Sequence, residues 1–177
     1  IWIGTDEGIY IYAYATETFT YFDLTTPNNV RITSIVNHIL QDKDGNLWFS
    51  TNGQGLFRYN LSKNYLEQYE FTSAFGIVAS TMADSDNQIW ALTNQGESGV
   101  YKLNKAENKF EPFGLLYNAG NHHSQALAML EDSEQTLWLG TWECGLQKID
   151  KYTRQTTTYL HPTDGKGVTH IHSLMEY

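Results

Sequence analysis

Tryptophan recurs in this chain at positions 2, 48, 90 and 138, at intervals of 46, 42 and 48 residues, each time inside a similar segment. The four segments read IWIGTDEGIYIY, LWFSTNGQGLFRY, IWALTNQGESGVYKL and LWLGTWECGLQKI. An aspartate stands six residues before three of these tryptophans, at Asp42, Asp84 and Asp132. Each opens a polar turn (DKDGN, DSDNQ, DSEQT) after an apolar run. Self-similarity at such a period restricts the fold to repeated supersecondary units that cover one another's apolar faces.

Within one period the pattern reads as four short strands. Strand A is VNHILQ (Val36 to Gln41), with counterparts at Val78 to Ala83, Ala126 to Glu131 and Ile171 to Glu176. A tight turn leads to strand B, LWFST; a Gly-bearing loop leads to strand C, GLFRYN; the turn LSKN leads to strand D, YLEQYEF. β-Branched and aromatic residues bounded by Gly, Asn and Asp favour strands, and no capped amphipathic helix is evident. The expectation is an all-β chain, a β-propeller of four-stranded antiparallel blades. It forms one segment over 1–177, with repeats at about 1–46, 47–88, 89–136 and 137–177. Blades packed face to face bury strand B on both sides, so Trp2, Trp48, Trp90 and Trp138 are expected as packing between sheets. That role accounts for an aromatic content of 14%.

The segment DKDGNLWFSTNGQGLFRYN, with its echoes DSDNQIWALT and DSEQTLWLGTWECGLQKID, resembles the two-component regulator propeller repeat. That pattern runs Asp-x-x-Gly-Asn-Leu-Trp-hydrophobic-Gly-Thr, then Gly-Leu and an aromatic residue before Asp or Asn. Only the copies at Trp2 and Trp138 keep Gly before Thr; Ser50 and Leu92 replace it in the others. The resemblance implies the periplasmic sensor region of a hybrid two-component system, in which propellers precede a β-sandwich, a membrane span and a histidine kinase. It also implies a carbohydrate-responsive role, with other blades or domains of a parent chain as partners and the membrane reached only through that parent; separately, a fragment with open sheet edges would expose unpaired backbone and associate with a neighbour, a homodimer being one such partner. Seven blades are usual for such a ring, which makes this chain a fragment of a larger propeller. The alternative is a ring of four, closed by the last strand A against the first strand B.

Lys and Arg number 11 against 20 Asp and Glu, a net charge of −9, with no basic cluster. Nucleic-acid binding is disfavoured, because phosphate neutralisation needs clustered cations. A single cysteine excludes an internal disulfide.

Antiparallel order places the A–B and C–D turns at one end of the blades and the B–C and D–A connections at the other. The second set is longer and more varied, and binding sites are normally built from variable loops on a rigid scaffold. Trp142, in the B–C loop TWECG, has no repeat counterpart. It is expected either to stack on a sugar ring or to fold inward as a lid on the core. Glu143 beside it is a hydrogen-bond acceptor for a ligand or a solvated loop charge. His122 and His123, with Asn118, Asn121, Asn94 and Gln95, offer uncharged polar groups at the same end, or form ordinary hydrated loops. Arg31 is the cation available there for an acidic sugar.

Other chemistry fails on spacing. Counted from Asp42, the sixth position is Leu47 and the twelfth Gly53, which excludes a calcium loop needing Gly and Glu there. His170 and His172 place two imidazoles on one face of a strand without a third ligand, and no reactive context surrounds Cys144. No cofactor is expected. The reading is a ligand-binding sensor module and not an enzyme. Its alternatives are a polysaccharide-active lyase or glycosidase, using Glu143 with His122 or His123 as acid and base, and a protein-interaction scaffold.

Overall fold

A computed structural model describes residues 1–71, 76–93, 99–115, 125–142, 144–159 and 170–177. Among the described residues there are fifteen strands and no helix. The first sheet is β1 (Trp2–Thr5), β2 (Gly8–Ala13) and β3 (Thr18–Tyr21). The second holds β4 (Val36–Gln41), β5 (Leu47–Thr51), β6 (Leu56–Asn60) and β7 (Tyr65–Tyr69). The third holds β8 (Val78–Ala83), β9 (Ile89–Thr93), β10 (Gly99–Asn104) and β11 (Lys109–Leu115). The fourth holds β12 (Ala126–Glu131), β13 (Leu137–Thr141), β14 (Leu146–Ile149) and β15 (Thr156–Tyr159). Each sheet is a meander in chain order. Three strands A stand where the sequence puts them.

The chain divides within β8 into two compact units, Ile1–Thr81 and Met82–Tyr177. The core of the first joins Ile9 and Phe22 of the first sheet to Leu47, Phe49, Phe57 and Leu66 of the second. That of the second joins Trp90, Leu92 and Val100 to Ala126, Leu137 and Leu139. Within each unit, apolar sheet faces cover one another, as the repeat requires.

Each Asp six residues before a Trp has a double role. In the second sheet Asp42 Oδ1 accepts the amides of Asp44 (3.0 Å) and Asn46 (2.9 Å), closing the turn. Its Oδ2 accepts the indole N–H of Trp48 at 2.8 Å. Asp84 repeats this with Trp90 (2.9 Å), and Asp132 with Trp138 (2.6 Å). A residue with φ of +80°, +57° or +63° (Gly45, Asn87, Gln135) completes each turn. The sequence suggested turn chemistry alone; the indole bond emerges only from the three-dimensional structure.

A second regularity runs across the strands. Trp48, Trp90 and Trp138 lie in register with Arg58, Lys102 and Lys148 of the next strand. Those cations lie 5.6, 5.1 and 5.5 Å from the indole centroids. An aromatic ring of strand D, or in the first sheet the residue just after β3, flanks each of the four repeat tryptophans: Phe22, Tyr69, Phe113 and Tyr159, at 4.8–5.9 Å between centroids. Trp48 and Trp90 are fully buried. Trp2 and Trp138 depart from the expected complete burial and are half-buried.

The residue two beyond each Trp meets the start of the next strand A. A Cβ on Gly4 would stand 2.9 Å from the Val36 side chain, and one on Gly140 would stand 2.6 Å from Ile171 O. Where Ser50 replaces Gly, its hydroxyl lies 3.3 Å from Thr81 Oγ1. Where Leu92 does, it packs in one cluster with Ala126.

Ile171 to Glu176, expected as a fourth strand A, is not a strand, because no neighbouring strand pairs with it among the described residues. It nevertheless lies where a strand A of a following sheet would lie. His170 bridges Trp142 as Ile77 bridges Asn52. Ile171 N donates to Thr141 O at 3.1 Å. Glu176 takes the N–H and hydroxyl of Ser133 (2.8 and 2.6 Å) as Glu131 takes those of Ser85 (2.5 and 3.1 Å).

Candidate functional site

The threonine that ends strand B builds the loop following it. Thr51 Oγ1 donates to Gly55 O at 2.7 Å and accepts Gln54 N–H at 3.1 Å; Thr141 does the same with Gly145 O (2.7 Å) and Cys144 N–H (3.0 Å). These bonds tie Thr51 and Thr141 to the residues that open the following strand. In the fourth sheet this tie presents Trp142, whose N–H donates to Gln125 O at 2.9 Å.

The Trp142 side chain is 41% exposed, so it is neither an inward lid nor a free paddle. The His170 ring stands edge-on to it, centroids 3.7 Å apart at 80°. His172 lies 6.1 Å from Trp142 and is parallel to His170 within 10°, at 6.3 Å. Both imidazoles are exposed. The result is a corner of planar rings at the B–C end of the sheet, with an apolar face beside nitrogen donors and acceptors. The sequence separated these residues: Trp142 was a ligand candidate, whereas the His pair was set aside. Cys144, in the same loop, is buried. Among the described residues no three His, Cys, Asp or Glu side chains converge as a metal site.

In the first unit, the D–A connection at 23–34 is tied to the second B–C loop by Gln54. Its Oε1 accepts the amides of Thr33 (2.8 Å) and Ser34 (3.0 Å), and its Nε2 donates to Arg31 O at 2.9 Å. Gln54 carries no motif that would single it out beforehand. Arg31 itself is ion-paired with Asp23, so its charge is already partly neutralised. Asn94, Gln95, Asn118, Asn121, His122, His123 and Glu143 lie outside the described residues.

At the opposite, A–B and C–D, end of the second unit an ionic cluster surrounds the buried Lys151. Lys151 Nζ lies 2.6 Å from Glu131 Oε1, 3.0 Å from Asp86 Oδ2 and 3.6 Å from Asp84 Oδ2. Burial works to lower the Lys151 pKa, but the carboxylates outweigh it and raise it above the usual lysine value. In the first unit, His38 Nδ1 lies 3.4 Å from Thr81 Oγ1, and burial pulls its pKa below the ordinary histidine value. Both clusters stitch adjacent sheets together and serve the scaffold.

Residues 28–53 match the family model described as two component regulator propeller. No curated protein matches the chain. Among solved structures, it is similar to two extracellular domains from B. thetaiotaomicron that are named for hybrid two component systems. One is 25% identical with a TM-score of 0.70, the match covering 89% of this chain and 20% of that one. The other is 20% identical with a TM-score of 0.68, covering 89% and 22%. The chain thus spans about a fifth of the length of those domains. Virginiamycin B lyase from Staphylococcus aureus is also similar, at 17% identity and a TM-score of 0.66, covering 94% and 56%, a likeness of fold alone. Successive antiparallel meanders of three or four strands with these likenesses are β-propeller blades, and residues 28–53 match the two component regulator propeller model.

Proposed function

We propose that this chain is a ligand-recognition segment in the extracytoplasmic, periplasmic sensor region of a hybrid two-component system, and that the ligand is an oligosaccharide. The observation that carries this reading is the Trp142 corner. The other tryptophans pack within or between sheets, and three of them bond to an aspartate; Trp142 is 41% exposed beside two imidazoles. An indole face with adjacent polar ring nitrogens suits a pyranose, whose C–H face stacks while its hydroxyls hydrogen-bond. The names of the B. thetaiotaomicron domains support the sensor context. In that context the segment is part of a larger propeller, and binding biases one of two arrangements of the receptor.

The test is calorimetric titration of a panel of neutral and uronate-containing oligosaccharides into the native chain and Trp142→Ala. The expected result is a binder in the panel whose affinity falls at least about tenfold in the variant, or about 1.4 kcal/mol. A panel without a binder, or one bound equally by both proteins, would overturn the reading.

A further inference from the structure

The third and fourth sheets cover one another within the second unit, and their packing leaves a cleft of about 320 Å³ at the A–B and C–D end. Three cations line it: Lys102 of β10, Lys105 of the turn that follows, and Arg154 of the turn between β14 and β15. They share the cleft with one carboxylate, Glu111. In a chain with 11 Lys and Arg against 20 Asp and Glu, this is a local reversal of charge. No run of sequence groups the three, because Arg154 comes from the neighbouring sheet.

Lys102 and Arg154 are positioned without being neutralised. Lys102 stands opposite Glu111 across the strand pair, as Arg58 stands opposite Glu67 in the second sheet. Arg58 closes that ion pair at 2.5 Å, whereas Glu111 Oε1 accepts the Asn104 side-chain amide at 2.9 Å instead. Lys102 rests over the Trp90 ring, 5.1 Å from its centroid, and Arg154 over the Phe113 ring at 5.0 Å. A ring face attracts the charge and leaves N–H groups to donate elsewhere. Among the described residues none of the three cations is ion-paired. Turn chemistry does not account for Arg154 either. Glu17, Asn64, Asn108 and Arg154 hold one position of the four C–D turns, all left-handed, with φ of +53°, +47°, +51° and +63°. Asparagine suits that backbone better than a long side chain does, so the guanidinium is present for its reach and charge.

Independently of the sugar reading, we infer that this cleft binds a tetrahedral oxyanion, phosphate or sulfate, free or as the monoester of a small organic molecule. Arg154 supplies a planar fork for two of the oxygens, and Lys102 and Lys105 supply point charges for the others. Cations drawn from two sheets suit an anion whose oxygens point in several directions. Small-molecule pockets begin at about 300 Å³, so the cleft has room for the body of a monoester beside its charged group. Lys105 and Arg154 are exposed, and salt therefore weakens the binding.

The test is a titration of the native chain at low salt with sodium phosphate, sodium sulfate, glucose 6-phosphate, glucose 6-sulfate and glucose, followed through the indole N–H resonances by two-dimensional NMR. Because Lys102 lies over Trp90, the Trp90 resonance should shift saturably with at least one oxyanion, at a Kd of about 1 mM or tighter, and stay in place with glucose. Comparing the free ions with the esters tells the two sources apart. Arg154→Asn installs the residue of two other C–D turns, so it fits the backbone while removing the cation; it should weaken binding at least about tenfold. Lys63→Gln, in the matching turn of the second sheet, should leave the affinity unchanged. No saturable shift with any oxyanion overturns the proposal, as does undiminished binding by Arg154→Asn or an equal loss in Lys63→Gln. A Trp142→Ala chain should titrate as the native one does, so this cleft and the sugar corner stand or fall separately.

Discussion

Trp48 Nε1 donates to Asp42 Oδ2 at 2.8 Å, and both side chains are buried. The same carboxylate receives two turn amides, so one residue fixes the A–B hairpin and orients the indole that fills the sheet. Asp132 makes the equivalent bonds. Burial works to raise its pKa, but the Trp138 indole and the amides of Thr136 and Glu134 outweigh that and hold the carboxyl below the ordinary aspartate value. Its stabilising contribution is present above about pH 3.8 and is lost as pH falls through the lower folded value.

Asp42→Ala is expected to cost about 2–3 kcal/mol, since it leaves a buried indole N–H and two turn amides without their charged acceptor. Asp44→Ala, at an exposed position of the same turn, should stay within about 0.5 kcal/mol. Urea denaturation followed by tryptophan fluorescence measures both. Equal midpoints for the two variants would contradict the role given to Asp42.

Lys151→Met should destabilise by about 3–5 kcal/mol, because the sequestered carboxylates of Asp84 and Glu131 are then left without their cation. Since the folded state raises the Lys151 pKa, its contribution is complete below about pH 10.5 and declines as pH rises through the higher folded value. Thermal melts at neutral and alkaline pH should therefore converge for native and variant chains. A constant gap would show that packing, not charge, sets the cost.

His38 has the opposite sign. Its pKa is lowered by burial, so the unfolded chain takes up a proton before the folded one does. Stability should begin to fall below about pH 6.5 and level off once pH is under the folded value. His38→Asn should remove that part of the acid slope. The His38 ring resonances, followed by NMR against pH, give the folded midpoint directly, and a midpoint at or above 6.5 contradicts the burial argument.

A methyl group at position 140 would lie 2.6 Å from Ile171 O, a backbone atom. Gly140→Ala should push residues 170–176 off the fourth sheet and break the bond from Ile171 N to Thr141 O. Hydrogen exchange at the Ile171 amide should become markedly faster while amides of β13 and β14 stay protected. Unchanged exchange at Ile171 would mean that the sheet absorbs the methyl elsewhere.

Much of the fold was readable because its causes are local. Period-two alternation, turn residues at fixed offsets and a recurring indole each act within a few residues, and strands A at 36, 78 and 126 begin where the repeat places them. Ile171–Glu176 shows the limit of that reading. Its residues suit a strand, but a strand exists only through a hydrogen-bonded neighbour, which residue type cannot supply.

The site divides along the same line. That Trp142 departs from the repeat is visible in one dimension, since nothing in the scaffold pattern calls for an indole there. That it stands at right angles to His170, 28 positions later, is not. Nor is the pairing of Arg31 with Asp23, or the clamp formed by Gln54. The sequence by itself determined the repeat, the strands and the turns, because backbone sterics and hydrogen-bonding side chains act over short separations. Only the tertiary structure decided which indole stays exposed and which cation is already paired. Those outcomes depend on what an adjacent sheet covers, and burial belongs to neighbours in space rather than along the chain.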